Sequence, residues 1–104
     1  MPTAFQMRVY DATREIPRGR VTTYALLAKR INCRSARAVG QALRHNPYAP
    51  KVPCHRVIAS DLTIGGFNGK TAGPLIKKKL ELLAKEGVAF KCGRLADNNQ
   101  LFRF

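Results

Sequence analysis

Acidic side chains are scarce in this sequence. Six aspartates and glutamates stand against nineteen lysines and arginines in 104 residues, which gives a formal net charge of +13. Lysine and arginine release condensed counterions when they meet phosphates, so this imbalance favours a nucleic acid as partner. Charge alone does not separate DNA from RNA, and a basic protein that binds anionic membranes would have a similar composition.

Paired cysteines and long apolar runs are also missing. Cys33, Cys54 and Cys92 form an odd set without a Cys-X-X-Cys pair, which argues against a disulfide framework and a zinc ribbon. A zinc site built from them and His55 would match no standard spacing, so no metal or cofactor is expected. Without a signal-like N-terminus or a membrane-length run, we expect a soluble intracellular protein, cytoplasmic in a prokaryote or nuclear in a eukaryote, with no membrane partner.

The length suits a single domain over residues 1–104. Apolar residues make up 45%, too many for a disordered chain, and 104 residues leave little room for a second core. Periodicity and capping residues predict four helices, at residues 5–16, at Tyr24–Arg30 after Thr22 or Thr23, at Ala36–Arg44 after Ser35, and at residues 74–86. The second and third helices, joined by a short polar turn, are typical of a helix-turn-helix.

The remaining segments predict less regular structure. Three prolines should keep the chain extended up to Cys54, and residues 57–59 should form a short buried strand. Further along we expect a glycine-rich loop at residues 61–73, a solvated lysine run at residues 77–79, and a hairpin in residues 88–104 that turns near residues 97–99. The predicted fold class is α/β, mostly helical: a winged-helix-like helix-turn-helix DNA-binding domain with a short strand segment and a small terminal hairpin.

Cys54 is the strongest candidate for a reactive side chain. The thiolate is the nucleophile, and a free thiol titrates at about pH 8.5, so a nearby base or positive charge is needed. His55 and Arg56 follow Cys54 directly. Neighbouring residues of a strand point to opposite faces, so His55 would reach the sulfur only through a bend or a bridging water. On local chemistry alone, a buried and inert cysteine is an equally good interpretation.

Several spaced motifs resemble one known family. They are Pro53-Cys54-His55-Arg56-Val57-Ile58, Arg37-Ala38-Val39-Gly40 followed by Asn46-Pro47, Gly65-Gly66-Phe67, Leu82-Leu83-Ala84-Lys85-Glu86-Gly87 and Leu101-Phe102-Arg103-Phe104. In this order they resemble the catalytic and DNA-binding domain of the O6-alkylguanine-DNA alkyltransferases, also called methylated-DNA–protein-cysteine methyltransferases. The resemblance runs from about Phe5 to the end. Typical members carry a further N-terminal domain, which is not expected in this chain.

The resemblance implies a direct DNA repair reaction. An alkyl group, such as methyl, would pass irreversibly from O6 of guanine to Cys54, once per molecule, and O4 of thymine is left open as a second source. His55 would deprotonate Cys54 through a water, and Glu86 would orient His55. Tyr24 would donate a proton or a hydrogen bond to the leaving guanine. Asn46 would tie the recognition helix to the active-site segment.

The resemblance also implies how DNA is bound. The helix-turn-helix would enter the minor groove of double-stranded DNA, which is nearly blind to sequence, and the damaged base would flip out. Arg37 would fill the gap in the base stack, with Tyr24 also at the DNA. The small residues that allow close approach are Ala36, Ala38 and Gly40. The protein would act as a monomer.

The flipped base would lie in a pocket lined by Phe67, Asn68, Pro53 and Val57. Phe67 in a glycine-rich loop is also compatible with a core anchor. This loop departs from the family pattern, since it is longer and since Asn68 and Lys70 stand where members more often have Ser or Gly and a second Gly. The substrate range is therefore left open.

Two other functions stay open. The alkyltransferase-like proteins share this fold and size, bind alkylated DNA without repairing it and flag it for excision repair. They usually carry Trp at the acceptor position, where this chain has Cys54. A winged-helix regulator would explain the charge and the helix-turn-helix, but not the presence of Tyr24, His55 and Glu86 together with the cysteine.

Overall fold

The computed structural model describes residues 2–48, 51–64 and 74–104. Its helices are α1 (Ala4–Thr13), α2 (Tyr24–Arg30), α3 (Ala36–Arg44) and α4 (Pro74–Lys85). Its strands are β1 (Thr22–Thr23), β2 (Val57–Ile58), β3 (Phe90–Lys91) and β4 (Arg94–Leu95), with 3₁₀ turns at Cys54–Arg56 and Asn98–Gln100. This is the mostly helical α/β fold that the sequence predicted. None of the helices in these ranges is long and apolar enough to cross a membrane.

Helix α1 is shorter than the sequence predicted. Thr3 begins it with a capping box, in which its hydroxyl accepts from the Gln6 amide and the Gln6 side chain accepts from the Thr3 amide. The expected end at Ile16 was wrong. The helix ends at Thr13, because the residues before Pro17 tighten into i→i+3 hydrogen bonds. Ile16 is nevertheless buried, so the apolar spacing identified a core residue but not the helix boundary.

Helices α2 and α3 form the predicted helix-turn-helix. Their bounds match the prediction because each helix begins at a local side-chain cap. Thr23 Oγ1 accepts from the Leu26 amide at 3.1 Å, and Ser35 Oγ accepts from the Ala38 amide at 3.0 Å. Asn32 supplies a positive φ of 57° in the turn between the helices, a conformation that asparagine tolerates better than most residues.

Helix α1 packs against this pair through a buried tyrosine. The Tyr10 hydroxyl donates to the carbonyl of Ala42 at 2.7 Å, and its ring meets Tyr48 edge to face at 5.8 Å between centroids. The three helices enclose the first part of the core, which includes Val9, Ile16, Leu27, Val39 and Leu43. Burial of these side chains, and not intrinsic propensity, stabilises helices as short as these.

Two small sheets complete the fold. Strand β1 pairs in parallel with β2, and Thr22 lies opposite Val57. Val21, which precedes β1, is bridged to Leu101, and its amide donates to the carbonyl of Gln100 at 2.9 Å. The segment that leads into α2 is therefore held by two distant parts of the chain. A second part of the core lies beside it and includes Val21, Ile58, Leu83, Val88, Leu95 and Leu101.

The terminal hairpin turns earlier than the sequence predicted. Cys92 and Gly93 join the antiparallel strands β3 and β4, and their φ angles of 51° and 80° suit a tight two-residue hairpin turn. The prediction that the hairpin turns at residues 97–99 was wrong. Asp97 instead caps the 3₁₀ turn Asn98–Gln100.

Helix α4 buries a lysine. Lys77 and Lys78 are exposed as predicted, but Lys79 is fully buried, so the prediction of a solvated run was wrong at this position. The helical period gives the reason. Lys79 lies three residues after Ile76 and four before Leu83, on the face that both of these side chains bury in the core.

Candidate active site

Cys54 begins a tight turn and does not end an extended segment. In the 3₁₀ turn Cys54–Arg56, the Arg56 amide donates to the carbonyl of Pro53 at 2.9 Å, and the Cys54 amide donates to that of Val52 at 2.8 Å. The expectation of an extended chain up to Cys54 was therefore wrong, since the described residues before Pro53 also lie in turns and the Val52 amide donates to the carbonyl of Tyr48 at 3.1 Å. Proline fixes φ but not ψ, and the ψ of 67° at Pro53 turns the chain. Cys54 itself is 8% exposed.

Asn46 connects the end of α3 to this turn. Its Nδ2 donates to the carbonyl of Val52 at 3.1 Å, and its Oδ1 accepts from the Tyr48 amide at 2.9 Å. Val52 in turn accepts from the Cys54 amide. The side chain therefore has the connecting position that the sequence predicted for it, while its effect on a reaction stays a prediction.

His55 and Glu86 form a buried pair. Nε2 of His55 lies 3.0 Å from Oε2 of Glu86, and the two side chains are 6% and 9% exposed. Burial lowers the pKa of His55, although the hydrogen bond and charge of Glu86 oppose this. A neutral ring beside a carboxylate donates from Nε2, which leaves Nδ1 as the proton acceptor. The structure thus brings together two residues that the sequence expected to act together.

Arg56 belongs to the same cluster, and the sequence did not single it out as a site residue. Its Nε and Nη2 each donate to Glu86 at 2.9 Å, and its Nη1 donates to the carbonyl of Ile16 at 2.9 Å. Burial raises the pKa of Glu86, but the hydrogen bonds from Arg56 and His55 outweigh it and lower that pKa to about 2. The sequence shows that Arg56 follows His55 directly. It does not show that the Arg56 guanidinium contacts the carboxylate of Glu86.

Lys79 is a second buried cation that the sequence missed. Its Nζ donates to the carbonyls of Val57 and Ile64, both at 2.8 Å. Burial lowers the pKa of Lys79 to about 7, and negative charge on Cys54 opposes this shift. The two groups are therefore close enough to interact, and an ammonium at this place stabilises a thiolate.

Tyr24 lies at the start of α2, half-buried. Burial, and then negative charge on Cys54, raise the pKa of Tyr24 to about 12. At neutral pH it is therefore a phenol that can donate its proton. The ring faces α3, since a Cβ built at Gly40 would lie 3.9 Å from two of its carbons. The charge of Cys54 therefore affects the pKa of Tyr24, as expected for two residues that the sequence placed in one site.

Four of the five predicted DNA-binding residues lie along the first turns of α3, and the fifth, Tyr24, begins α2. Arg37 is exposed, whereas Ala36, Ala38 and Gly40 are half-buried. An exposed guanidinium on a helix lined by small side chains can bind a phosphate or stack on a base. The geometry is compatible with either role.

Two of the four predicted pocket residues belong to the described chain. Pro53 is buried, and Val57 is fully buried within the core. Phe67 and Asn68 lie outside the described residues, as does most of the predicted glycine-rich loop. In residues 2–48, 51–64 and 74–104, no group of three His, Cys, Asp or Glu side chains could hold a metal ion. The pocket assignment stays a prediction.

Fold and site define a class of protein: a helix-turn-helix domain that buries a cysteine near a histidine, a carboxylate and two cations. The family model described as "6-O-methylguanine DNA methyltransferase, DNA binding domain" matches residues 4–88. This match covers most of the chain. The chain belongs to this family, and the resemblance of its motifs is confirmed.

Three similar proteins illustrate the relationship. A methylated-DNA–protein-cysteine methyltransferase of Methanothermobacter thermautotrophicus is 42% identical over 89 residues, 86% of this chain and 47% of that protein. The O6-methylguanine-DNA methyltransferase structure from Pyrococcus kodakaraensis KOD1 has a TM-score of 0.71 and 46% identity over 83% of this chain and 47% of that one. S. pombe Atl1, solved with damaged DNA containing O6-carboxymethylguanine, has a TM-score of 0.80 and 32% identity, and both chains are covered completely.

The share of each relative that is covered differs between these proteins. The chain spans 38% to 47% of the length of the first curated methyltransferases it matches. It spans the whole of the S. pombe protein. Residues 4–88, which match the DNA-binding domain that the family model describes, include Cys54.

Proposed function

We propose that this chain repairs alkylated DNA directly, by moving an alkyl group from O6 of guanine to the sulfur of Cys54, with O4 of thymine as a possible second source. One observation carries the proposal: the buried turn that holds Cys54 also holds His55, whose ring is fixed by Glu86 at 3.0 Å. A nucleophile, a base and a group that orients the base are the parts that an activated thiol needs. The names of the curated relatives support the same reaction class.

The first step is the loss of the Cys54 proton. A bridging water passes this proton to Nδ1 of His55, while Nε2–H donates to Glu86. The ammonium of Lys79 stabilises the thiolate. The sulfur then attacks the alkyl carbon, so that the S–C bond forms as the C–O6 bond breaks and its electron pair leaves with the guanine.

Tyr24 assists the leaving group. An anionic guanine is a poor leaving group, and a phenol that donates a proton or a hydrogen bond to the ring lowers the barrier. The raised pKa of Tyr24, about 12, keeps its proton in place until the developing charge draws on it. The products are an unmodified guanine and a thioether at Cys54. Because a thioether does not revert to a thiol, each molecule reacts once.

The proposed partner is double-stranded DNA, bound by a single copy of this domain. Arg37 lies exposed on α3 and would take the place of the flipped nucleotide in the stack, while the small residues beside it let the helix approach the minor groove. The net charge of +13 supplies the attraction to the phosphates. The minor groove suits a protein that must recognise damage in any sequence.

Intact-mass measurement after mixing with a duplex that contains O6-methylguanine tests the reaction. We expect the protein to gain the mass of one methylene, because methyl replaces the thiol proton. Cys54→Ala should lose this gain, while Cys33→Ala and Cys92→Ala should keep it. A methyl group mapped to Cys33 or Cys92 would overturn the site assignment, and size-exclusion chromatography of the complex tests the single copy.

Recognition of damaged DNA without transfer is the second candidate function. It is the alternative because S. pombe Atl1, which was solved with damaged DNA, is covered completely at a TM-score of 0.80, whereas the names of the curated relatives support transfer. Tight binding to the damaged duplex with no change in mass would support this function over transfer. Equal binding to damaged and undamaged duplexes, again without transfer, would instead indicate a winged-helix regulator.

A further inference from the structure

One carboxylate in the site serves two partners at once. Glu86 accepts two hydrogen bonds from Arg56, one on each oxygen, and Oε2 also lies 3.0 Å from Nε2 of His55. Arg56 and Glu86 are 17% and 9% exposed, so solvent screens this arrangement poorly. The positive charge of Arg56 therefore balances the negative charge of Glu86 even when His55 is neutral.

Arg56 is itself fixed from a third direction. Its Nη1 donates to the carbonyl of Ile16, beyond the end of α1. The guanidinium thus spans the segment after α1, the turn that holds Cys54 and the end of α4. The two hydrogen bonds to Glu86 and the third to Ile16 fix the guanidinium of Arg56 in one orientation. The flexible ammonium of a lysine would not reproduce this geometry.

This arrangement decides which proton His55 can hold. A buried carboxylate with no other cation favours the imidazolium form of a neighbouring histidine, and an imidazolium has no acceptor left at Nδ1. Burial opposes that charge most strongly, and the cations Arg56 and Lys79 oppose it further. The charged groups that act on His55 are therefore the anion Glu86, which favours the imidazolium, and the cations Arg56 and Lys79, which oppose it. Cys54, the preceding residue, adds a further titratable group.

We propose that Arg56 is a positioning residue that balances the charge of Glu86 and so keeps His55 neutral, with Nδ1 free to accept the proton of Cys54. Glu86 then fixes the orientation of the ring without making it a cation. The proposal rests on the transfer reaction proposed above and adds a pH dependence to it. Transfer by the native protein should continue at pH values where a free imidazole is already protonated, below about 6.5.

The first test is a titration of His55 by NMR, which needs no substrate. The chain has two histidines, so His45→Gln assigns the signals. In Arg56→Met we expect the His55 midpoint to rise above that of the native protein, because Glu86 loses its guanidinium partner. Arg18→Met is the matched control, since Arg18 donates to the carbonyl of Lys85, next to Glu86, and does not touch the carboxylate.

A double-mutant cycle shows whether the effect passes through the carboxylate. In the Glu86→Gln background, Arg56→Met should raise the His55 midpoint less than in the native background, because only the direct repulsion between Arg56 and an imidazolium is then removed. An equal rise with and without Glu86 would overturn the proposed route. If Arg56→Met does not fold, Arg56→Gln gives the same comparison, and Arg56→Lys, which keeps the charge, should raise the His55 midpoint less.

The second test is the single-turnover transfer rate against pH. Relative to the native protein, Arg56→Met should be slower by about fivefold or more at pH 6.5 and should approach it at pH 8.5, because His55 regains its acceptor. Arg56→Lys should recover part of the loss at low pH. A reduction that is the same at every pH would indicate a purely structural role and would overturn the inference.

The two proposals fail separately. If the native protein transfers no alkyl group, the proposed function fails, while the NMR titrations still decide the role of Arg56. If transfer occurs but the His55 midpoint is unchanged in Arg56→Met, only the inference about Arg56 fails.

Discussion

Lys79 is a charged side chain without exposed surface. In the unfolded chain its ammonium persists to about pH 10.5, whereas in the folded protein burial lowers its pKa to about 7. Between these values the unfolded state binds more protons than the folded state. The contribution of Lys79 to the free energy of unfolding therefore rises with pH across this window, and the cost of burying the charge is fully present below pH 7.

Replacement of Lys79 should remove this pH dependence. We expect the free energy of unfolding of the native protein, minus that of Lys79→Met, to rise by about 2 kcal/mol from pH 7 to pH 9. Urea denaturation at both pH values measures the difference. Lys78→Met, at the exposed neighbouring position, is the control and should follow the native protein. A difference that stays constant would show that Lys79 keeps its proton at pH 9.

Among the elements, α3 carries a glycine that weakens it. Gly40→Ala should raise the free energy of unfolding by about 0.5–1 kcal/mol, because alanine favours the helix. Among the described residues, the new Cβ would meet only ring carbons of Tyr24, at an ordinary 3.9 Å. We expect the same change to weaken binding to duplex DNA, since it adds bulk on a helix proposed to approach the minor groove.

Thermal melts and fluorescence anisotropy separate the two effects of Gly40→Ala. Gln41→Ala, at the exposed next position of α3, controls for a general change in the helix and should leave DNA affinity almost unchanged. A loss of stability in Gly40→Ala would mean that Tyr24 cannot accept the methyl group. Unchanged affinity would argue against a close approach of α3 to DNA.

The elements also show what the sequence could predict. The bounds of α2 and α3 were predicted because Thr23 and Ser35 are caps that act within three residues of their partners. The hairpin turn was misplaced because Asp and Asn also favour 3₁₀ turns, and the pairing of β3 with β4 decides between the two uses. Side-chain caps sufficed to predict helix bounds, whereas residue types alone did not show which of two neighbouring turns joins paired strands.

The site shows the same division. Cys54, His55 and Glu86 could be predicted because the motifs carry them. Arg56 and Lys79 could not, because their partners depend on tertiary contacts: a carboxylate thirty residues away in sequence for Arg56, and two backbone carbonyls for Lys79. Lys79 follows two exposed lysines, and residue type alone does not distinguish it from them. Only its spacing from the apolar positions of the helix indicates that it is buried.

For the whole molecule, the charge of +13 predicts DNA binding that is strongly sensitive to salt. The logarithm of the affinity should fall linearly with the logarithm of the salt concentration. Arg37→Ala should weaken binding to damaged duplex more than to undamaged duplex and should change the slope little, if the guanidinium stacks. Anisotropy titrations at four salt concentrations measure both quantities. A slope smaller by about 1, with equal weakening on both duplexes, would identify Arg37 as a phosphate contact instead.

The bridge between Val21 and Leu101 sets the order in which this molecule can become functional during its synthesis. A chain leaves the ribosome N-terminus first. The Val21 amide can therefore form its hydrogen bond to the carbonyl of Gln100 only after residues 100 and 101 have been added. Glu86 likewise emerges long after His55. A partly made chain therefore exposes the thiol of Cys54 without its oriented base and without an anchored helix-turn-helix. For a reagent proposed to react once, we therefore expect transfer to begin only when the domain is complete.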